Sequence, residues 1–261
     1  MIWQYPHINP VAFEIGALSV RWYGLMYLLA FLSGGLLLKT RLSKLLPRHP
    51  DKLPDLLFYT MLGVIFGGRW GYISLYHPAL WIQDPLFAFR LWEPGMSFHG
   101  GLIGVLIALA VFARKYHHRF LTVTDFIAPV VPLGLLFGRL GNFINGELWG
   151  RPTRSNWGMI FPQVDHLARH PSQLYEAIFE GLLLFCVLWY VSQKPQKEGF
   201  CSGLFLLLYA TVRFIIEFYR QPDTPLGFVA WGWLTMGQVL CLPMWVVGVF
   251  LCWRKKICNN I

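Results

Sequence analysis

Long apolar runs, separated by short polar or basic stretches, recur along the whole chain. A membrane-crossing helix needs about 20 mostly apolar residues. Seven stretches approach that length: 16–38, 55–76, 97–114, 122–139, 171–192, 200–219 and 232–253. The third and fourth are short, and the sixth carries charges. The pattern predicts an all-α polytopic membrane protein of about seven transmembrane helices, with residues 1–261 forming one transmembrane domain. The longest segments expected outside are 77–96 and 140–170. The second is rich in Gly, Pro, Asn, Trp and Arg and reads as a compact cap, not as a soluble domain. The opening MIWQYPHINPVAFEIG mixes aromatics with prolines, as interfacial segments do.

Composition agrees. Of 261 residues, 56% are hydrophobic and 13% are charged, against about 25% charged in soluble domains. Mean hydropathy is +0.48. The net charge of +9 does not indicate nucleic acid as a partner, because the cations sit in short patches between apolar runs. Those patches orient the chain. With the N-terminus outside, the inner side receives Lys39, Arg41, Lys44, Arg48, Lys52, Arg114, Lys115, Arg119, Lys194, Lys197, Arg254, Lys255 and Lys256, which include every lysine. The expectation is a periplasmic N-terminus and a cytoplasmic C-terminus, with 140–170 a periplasmic cap. No basic region precedes the first apolar run, whose first cation is Arg21, so no cleavable signal peptide is expected. Cys186, Cys201, Cys241, Cys252 and Cys258 lack metal-site or C-x-x-C spacing and read as small packing residues.

The nine remaining cations are all arginines, in spans or outside: 21, 69, 90, 139, 151, 154, 169, 213 and 220. Arginine presents a planar fork that grips phosphate or carboxylate through two bonds. Structural pairing is expected for Arg21, Arg41 and Arg90. The deeper arginines call for partners or a purpose, since a charge at mid-membrane costs at least ~2.5–3.5 kcal/mol.

Four polar sets stand out. GRLGNFINGELWG, Gly138–Gly150, places Arg139, Asn142, Asn145 and Glu147 at the outer end of the fourth span. It reads either as a glycine-rich helix end packed on a neighbour or as an oxyanion-holding site. MSFHGGLIG puts His99 near the outer start of the third span, followed by glycines that leave room for another backbone or a substrate. His99 is either a hydrogen-bonded structural residue or the best candidate general base. In YATVRFIIEFYR, Tyr209, Arg213 and Glu217 follow at i, i+4 and i+8 and share a helix face. They form either a self-contained ion pair or part of a site. In RHPSQLYEAIFEG, Glu176 and Glu180 would repel unless arginines lie opposite, which suggests a role in orienting arginines. Tyr23 and Tyr27 share a face near an outer helix end and read as interfacial aromatics or as headgroup contacts.

GVIFGGRWGY and GLLFGRLGN each place an arginine after Phe-Gly at an outer helix end, a faint internal echo. The chain lacks G-x-x-x-x-G-K-[ST], H-E-x-x-H and G-x-S-x-G, the motifs of a P-loop ATPase, a zinc protease and a serine hydrolase. Arginines gathered at headgroup depth suggest a phosphate-bearing lipid as substrate.

GRLGNFINGELWGRPT resembles the signature of the bacterial phosphatidylglycerol–prolipoprotein diacylglyceryl transferase family. RWYGLMY, GMSFHGGLIG, DFIAPVVPLGLLFGRLGNFINGELWG, RHPSQLYE, SGLF and YRQPD extend the likeness along nearly the whole chain. The departure is a short outer segment between Trp149 and Arg169. The resemblance implies transfer of the diacylglyceryl group of phosphatidylglycerol to the lipobox cysteine thiol of a preprolipoprotein, with release of glycerol 1-phosphate. This is the first step of lipoprotein maturation, at the periplasmic side of the inner membrane, without metal or cofactor. It implies functional positions at Tyr23, His99, Arg139, Asn142, Glu147, Gly150 and Arg213, with Tyr209, Glu217 and Asn145 beside them. The chemistry fits an Arg139–Arg213 phosphate clamp aided by Asn142, His99 as base, and Glu147 orienting an arginine or the peptide. A transporter would spread charges across the whole bilayer depth. A scaffold would use its glycines only to pack helices.

Overall fold

The computed structural model describes residues 3–16, 18–42, 50–91, 93, 95–222 and 227–254. Lys44, Arg48, Lys255, Lys256, Cys258 and Asp223 of the YRQPD motif lie outside them. The helices of eight or more residues are α1 (Trp22–Lys39), α2 (Leu53–Tyr76), α3 (Phe98–Lys115), α4 (Phe120–Ile127), α5 (Val131–Asn145), α6 (Ser172–Val191), α7 (Phe200–Ile216) and α8 (Met236–Trp253). Short strands are β1 (Trp3–Gln4), β2 (Val11–Ile15), β3 (Leu18–Arg21), β4 (Met159–Ile160), β5 (Ala168–Arg169), β6 (Phe228–Ala230) and β7 (Leu234–Thr235). Each of the seven expected spans contains helix. Five helices (α1, α2, α3, α6 and α8) are long and apolar enough to cross a membrane, and α4 with α5 makes a sixth if that bent pair is one span.

The count falls short of seven for two local reasons. The expected span 122–139 is broken by 48° between α4 and α5. Pro129 stands at that break, and Pro132 occupies the first turn of α5, where a missing N–H is tolerated. The expected span 200–219 gives only the 17 residues of α7, followed by a tight turn through Tyr219. Two starts also move. Residues 18–21, expected to be helical, pair as β3 with β2, and α8 begins only after the β6–β7 hairpin.

The polarity of the fold is inverted relative to a water-soluble protein. Leu36, Val246 and Ile107 are 67%, 70% and 59% exposed, while Arg69, Gln173, Glu176 and Glu180 are completely buried. Lipid-facing helices account for this, because hydrocarbon welcomes the apolar surface and the polar groups partner one another inside.

The chain forms two compact units, one of residues 38–124 and one of 1–37 with 125–261. In the first, α2 and α3 meet along glycines. A Cβ added to Gly67 would lie 2.5 Å from Gly100 O, and one on Gly71 would lie 2.5 Å from Gly100 Cα. Gly63 and Gly104 are equally closed by each other's backbones. Small residues every fourth position let membrane helices approach this closely. Gly100 therefore makes room for α2, one of the two alternatives its position left open. Arg69, near the end of α2, is saturated by main chain. It donates to Phe87 O twice (3.2 and 3.1 Å), Glu93 O (3.1 Å), Gly95 O (3.1 Å) and Arg90 O (2.7 Å), over the Phe87 ring. Its task is to shape the loop between α2 and α3. Arg90 pairs with Asp84 at 2.8 Å and Glu93 at 3.3 Å, the structural pairing expected of it.

In the second unit, β1 pairs with β4, and β4 with β5, across the segment that follows α5. Tyr5, Met159 and Phe161 are buried there, with Phe143 and Trp149 against them. The expected cap, 140–170, thus opens as the last turns of α5 and continues as this small sheet. Asp125 of α4 accepts from Gly199 N (2.6 Å), Ser202 N (2.8 Å) and Ser202 Oγ (2.7 Å). A carboxylate from another helix thereby caps the first turn of α7, satisfying orphan N–H groups and the helix dipole. Thr235 and Gln238 form a capping box at the start of α8. Among the described residues, Cys186, Cys201, Cys241 and Cys252 form no disulfide.

Candidate active site

The C-terminal ends of α5 and α7 and the N-terminal half of α6 carry the polar residues of the second unit. Gly181 explains how closely they meet, because a Cβ there would lie 2.7 Å from Leu136 Cα of α5, one turn before Arg139. At the same level α6 widens into a π-helical stretch, Ala177–Leu183, which contains Glu180. Such stretches are rare and concentrate at functional sites.

Two arginines from different helices meet on one carboxylate. Glu176 Oε2 lies 2.9 Å from Arg139 Nε, and Glu176 Oε1 lies 2.6 Å from Arg213 Nη1 and 3.3 Å from Arg220 Nη1. Glu180 stands 3.6 Å from Arg139 Nη2 and 3.5 Å from Arg213 Nη1. Glu217 reaches Arg213 Nη2 at 2.8 Å. Glu176 and Glu180 therefore do have arginines opposite, and Arg213–Glu217 is one edge of a larger network. Only the contacts of Glu176 Oε1 with Arg213 and Arg220 are aligned hydrogen bonds. Glu176 Oε2 and Glu217 Oε2 are close to guanidinium nitrogens without lying along an N–H. A guanidinium has five N–H donors, so Arg139 and Arg213 keep donors that the carboxylates do not consume.

Asn142 and Asn145 prolong the network. Arg139 Nη1 donates to Asn142 Oδ1 over a long 3.4 Å, and Asn142 Nδ2 and Asn145 Nδ2 donate to Glu147 Oε1 at 2.8 and 3.2 Å. Among the described residues Glu147 thus reaches Arg139 through Asn142. Tyr23 packs on the same helix end, where a Cβ on Gly141 would lie 2.8 Å from its ring. Tyr209, one turn before Arg213, stacks on Phe205 at 5.7 Å.

Gly150 is enclosed by main chain. A Cβ there would lie 2.5 Å from His170 O and 2.6 Å from Tyr219 O, and its own carbonyl accepts from Arg169. The bare backbone is needed for the cap to reach the end of α7. Arg169 pairs with Asp165 at 2.6 Å, and this hydrogen-bonded guanidinium holds the Asp165 carboxyl below its usual range. Burial lowers the imidazole of His170, which meets Tyr175 OH at 3.1 Å. An apolar groove of about 470 Å³ runs between Tyr175 and Phe179 of α6 and Val212 and Ile215 of α7, with Tyr219 of the turn that follows.

His99 belongs to the other unit. It is the second residue of α3, beyond a Ser97 cap that accepts from Gly100 N. Its exposed imidazole meets the Phe98 ring edge-on and makes no hydrogen bond or ion pair among the described residues. That leaves its nitrogens available, which a hydrogen-bonded structural histidine would not have.

Sequence reasoning undervalued Arg220, Gln173, Ser172 and Arg151. Arg220 lies beyond the end of α7, past the turn through Tyr219, so no helical spacing signals its contact with Glu176. Arg151 donates to Arg220 O (2.9 Å) and Glu217 O (3.3 Å), contacts across 66 residues or more that no local spacing reveals.

The profile of the prolipoprotein diacylglyceryl transferase family matches residues 10–254. A phosphatidylglycerol–prolipoprotein diacylglyceryl transferase of Legionella pneumophila (strain Lens) is 56% identical over 253 residues, 97% of this chain and 99% of the relative. Enzymes of the same name from Coxiella burnetii (strain RSA 331 / Henzerling II) and Nitratidesulfovibrio vulgaris (strain DSM 19637 / Miyazaki F) are 54% and 51% identical. Each alignment covers at least 95% of this chain and 96% of the relative. With more than half of all positions shared along nearly its full length, this membrane-embedded transferase belongs to the prolipoprotein diacylglyceryl transferase family.

Proposed function

We propose that the chain transfers the diacylglyceryl group of phosphatidylglycerol to the lipobox cysteine thiol of a preprolipoprotein, at the periplasmic side of the bacterial inner membrane. The names of the relatives supply the lipid and the protein substrate. The observation that carries the local reading is the convergence of Arg139 and Arg213 on Glu176. A carboxylate that fixes two guanidiniums leaves their remaining N–H groups set for an anion, and preorganised donors of this kind stabilise developing charge. The glyceryl carbon–oxygen bond to phosphate breaks as a sulfur–carbon bond forms. The electron pair stays on the phosphate oxygen, where Arg139 and Arg213 receive it, with Asn142 and Tyr23 at the headgroup. A free thiol has a pKa near 8.5, so little thiolate exists at neutral pH. His99 takes the thiol proton, which finally resides on the glycerol 1-phosphate released. Tyr209, Glu217 and Asn145 hold the donors in place, and Gly150 seats the cap beside them.

The test is the purified protein in detergent with phosphatidylglycerol and a lipobox peptide. The expected result is glycerol 1-phosphate released in step with diacylglyceryl-peptide. Arg139→Lys and Arg213→Lys keep the charge but lose the fork, so each should reduce turnover at least about tenfold, or ~1.4 kcal/mol. No release by the wild-type chain, or near-normal transfer by His99→Gln, overturns the reading or its base respectively.

A further inference from the structure

The turn that presents Glu147 is held in an unfavourable shape by side chains from distant segments. Gly146 and Leu148 both take left-handed backbone conformations, φ 64° and 58°. Glycine accepts this freely, but a leucine with positive φ is a rare outlier that its surroundings must enforce. Nearly every carbonyl around the turn is claimed. Tyr5 OH donates to Ile144 O at 2.6 Å, Gln163 Nε2 to Gly146 O at 3.1 Å, Gln173 Nε2 to Glu147 O at 2.6 Å and Ser172 Oγ to Leu148 O at 3.0 Å. Gln173 is fully buried at the start of α6, and its Oε1 has no hydrogen-bond partner among the described residues. A sealed, half-satisfied amide is unfavourable as packing, since an apolar side chain of equal length would fill the space without that cost. Its useful feature is the N–H on Glu147 O.

We propose that Gln173 is a positioning residue for Glu147: its amide, with Ser172, locks the left-handed turn so that the Glu147 carboxylate stays on Asn142 and Asn145 and keeps Arg139 aimed. This rests on the reading of the arginine network as the transfer site.

The experiment compares wild type, Gln173→Met, Leu148→Gly and the double variant, all full-length in detergent, with phosphatidylglycerol and a lipobox peptide. Methionine matches glutamine in length and lacks the donor. Gln173→Met should lower kcat at least about tenfold, as small misplacements of reacting groups do, with KM for the lipid within about twofold and little change in unfolding midpoint. Adding Leu148→Gly should recover kcat severalfold, because glycine adopts the turn unaided. A merely structural Gln173 predicts no such rescue. Hydrogen exchange gives a readout independent of activity: Gln173→Met should speed exchange across 144–150 and leave the other helices unchanged. Wild-type kcat in Gln173→Met, a double variant no better than the single one, or unaltered exchange at 144–150 each overturns the inference. Absence of transfer by the wild-type chain instead overturns the functional reading.

Discussion

Glu176 touches three arginines while sealed from water, so its two oxygens decide where Arg139 and Arg213 can be. Removing one partner from a buried charge network leaves the others uncompensated and costs about 3–5 kcal/mol. Glu176→Gln should therefore lower the unfolding midpoint clearly and abolish most transfer. A midpoint equal to wild type, measured in the same detergent, would show that the arginines find other partners. The i, i+4, i+8 spacing made Tyr209, Arg213 and Glu217 legible as one face, and the doubled glutamates signalled arginines opposite them. Arg69 was not legible. It shares the Phe-Gly-Arg echo with Arg139, yet it binds carbonyls where Arg139 binds carboxylates. The difference comes from the loop each helix faces, and sequence alone does not display that.

At the scale of elements, apolar runs located α1 to α8, because the length of a span is written in composition. Its interruptions are set by single residues and by contacts. The α4–α5 bend was present in Pro129 and Pro132 but was read through as one span. The π-helical stretch of α6 and the Asp125 cap of α7, 74 residues apart in the chain, follow from packing and leave no local pattern. The glycines after His99 left room for another backbone or a substrate, and for Gly100 the structure supplies the backbone of α2. Gly104→Leu should disrupt the α2–α3 pair, since even a Cβ there meets Gly63 and lies 2.8 Å from Gly67 Cα. Overpacking usually costs 1–3 kcal/mol, and close contact with backbone places this case at about the upper end. Faster proteolysis in the loops flanking α2 and α3 is the expected signature, and wild-type resistance would mean the helices part without loss.

For the whole molecule, the proposed orientation puts the cap outside and every lysine inside. In a cysteine-free background, Trp157→Cys should react with a membrane-impermeant maleimide in intact spheroplasts. Lys194→Cys should react only after permeabilisation. Both side chains are exposed, so the reverse pattern would invert the topology. One consequence follows from the network around Glu176. Three guanidiniums there face three carboxyl groups, so the resting cations are answered within the protein and draw no counter-ion into the bilayer. Under the proposed chemistry, an arriving lipid phosphate carries one negative charge, and the glycerol 1-phosphate that leaves with the thiol proton carries one as well. An enclosure whose guanidiniums are already answered by carboxyl groups holds the first by geometry and gains no charge to retain the second, so water outcompetes it for the product and the site empties for another turnover.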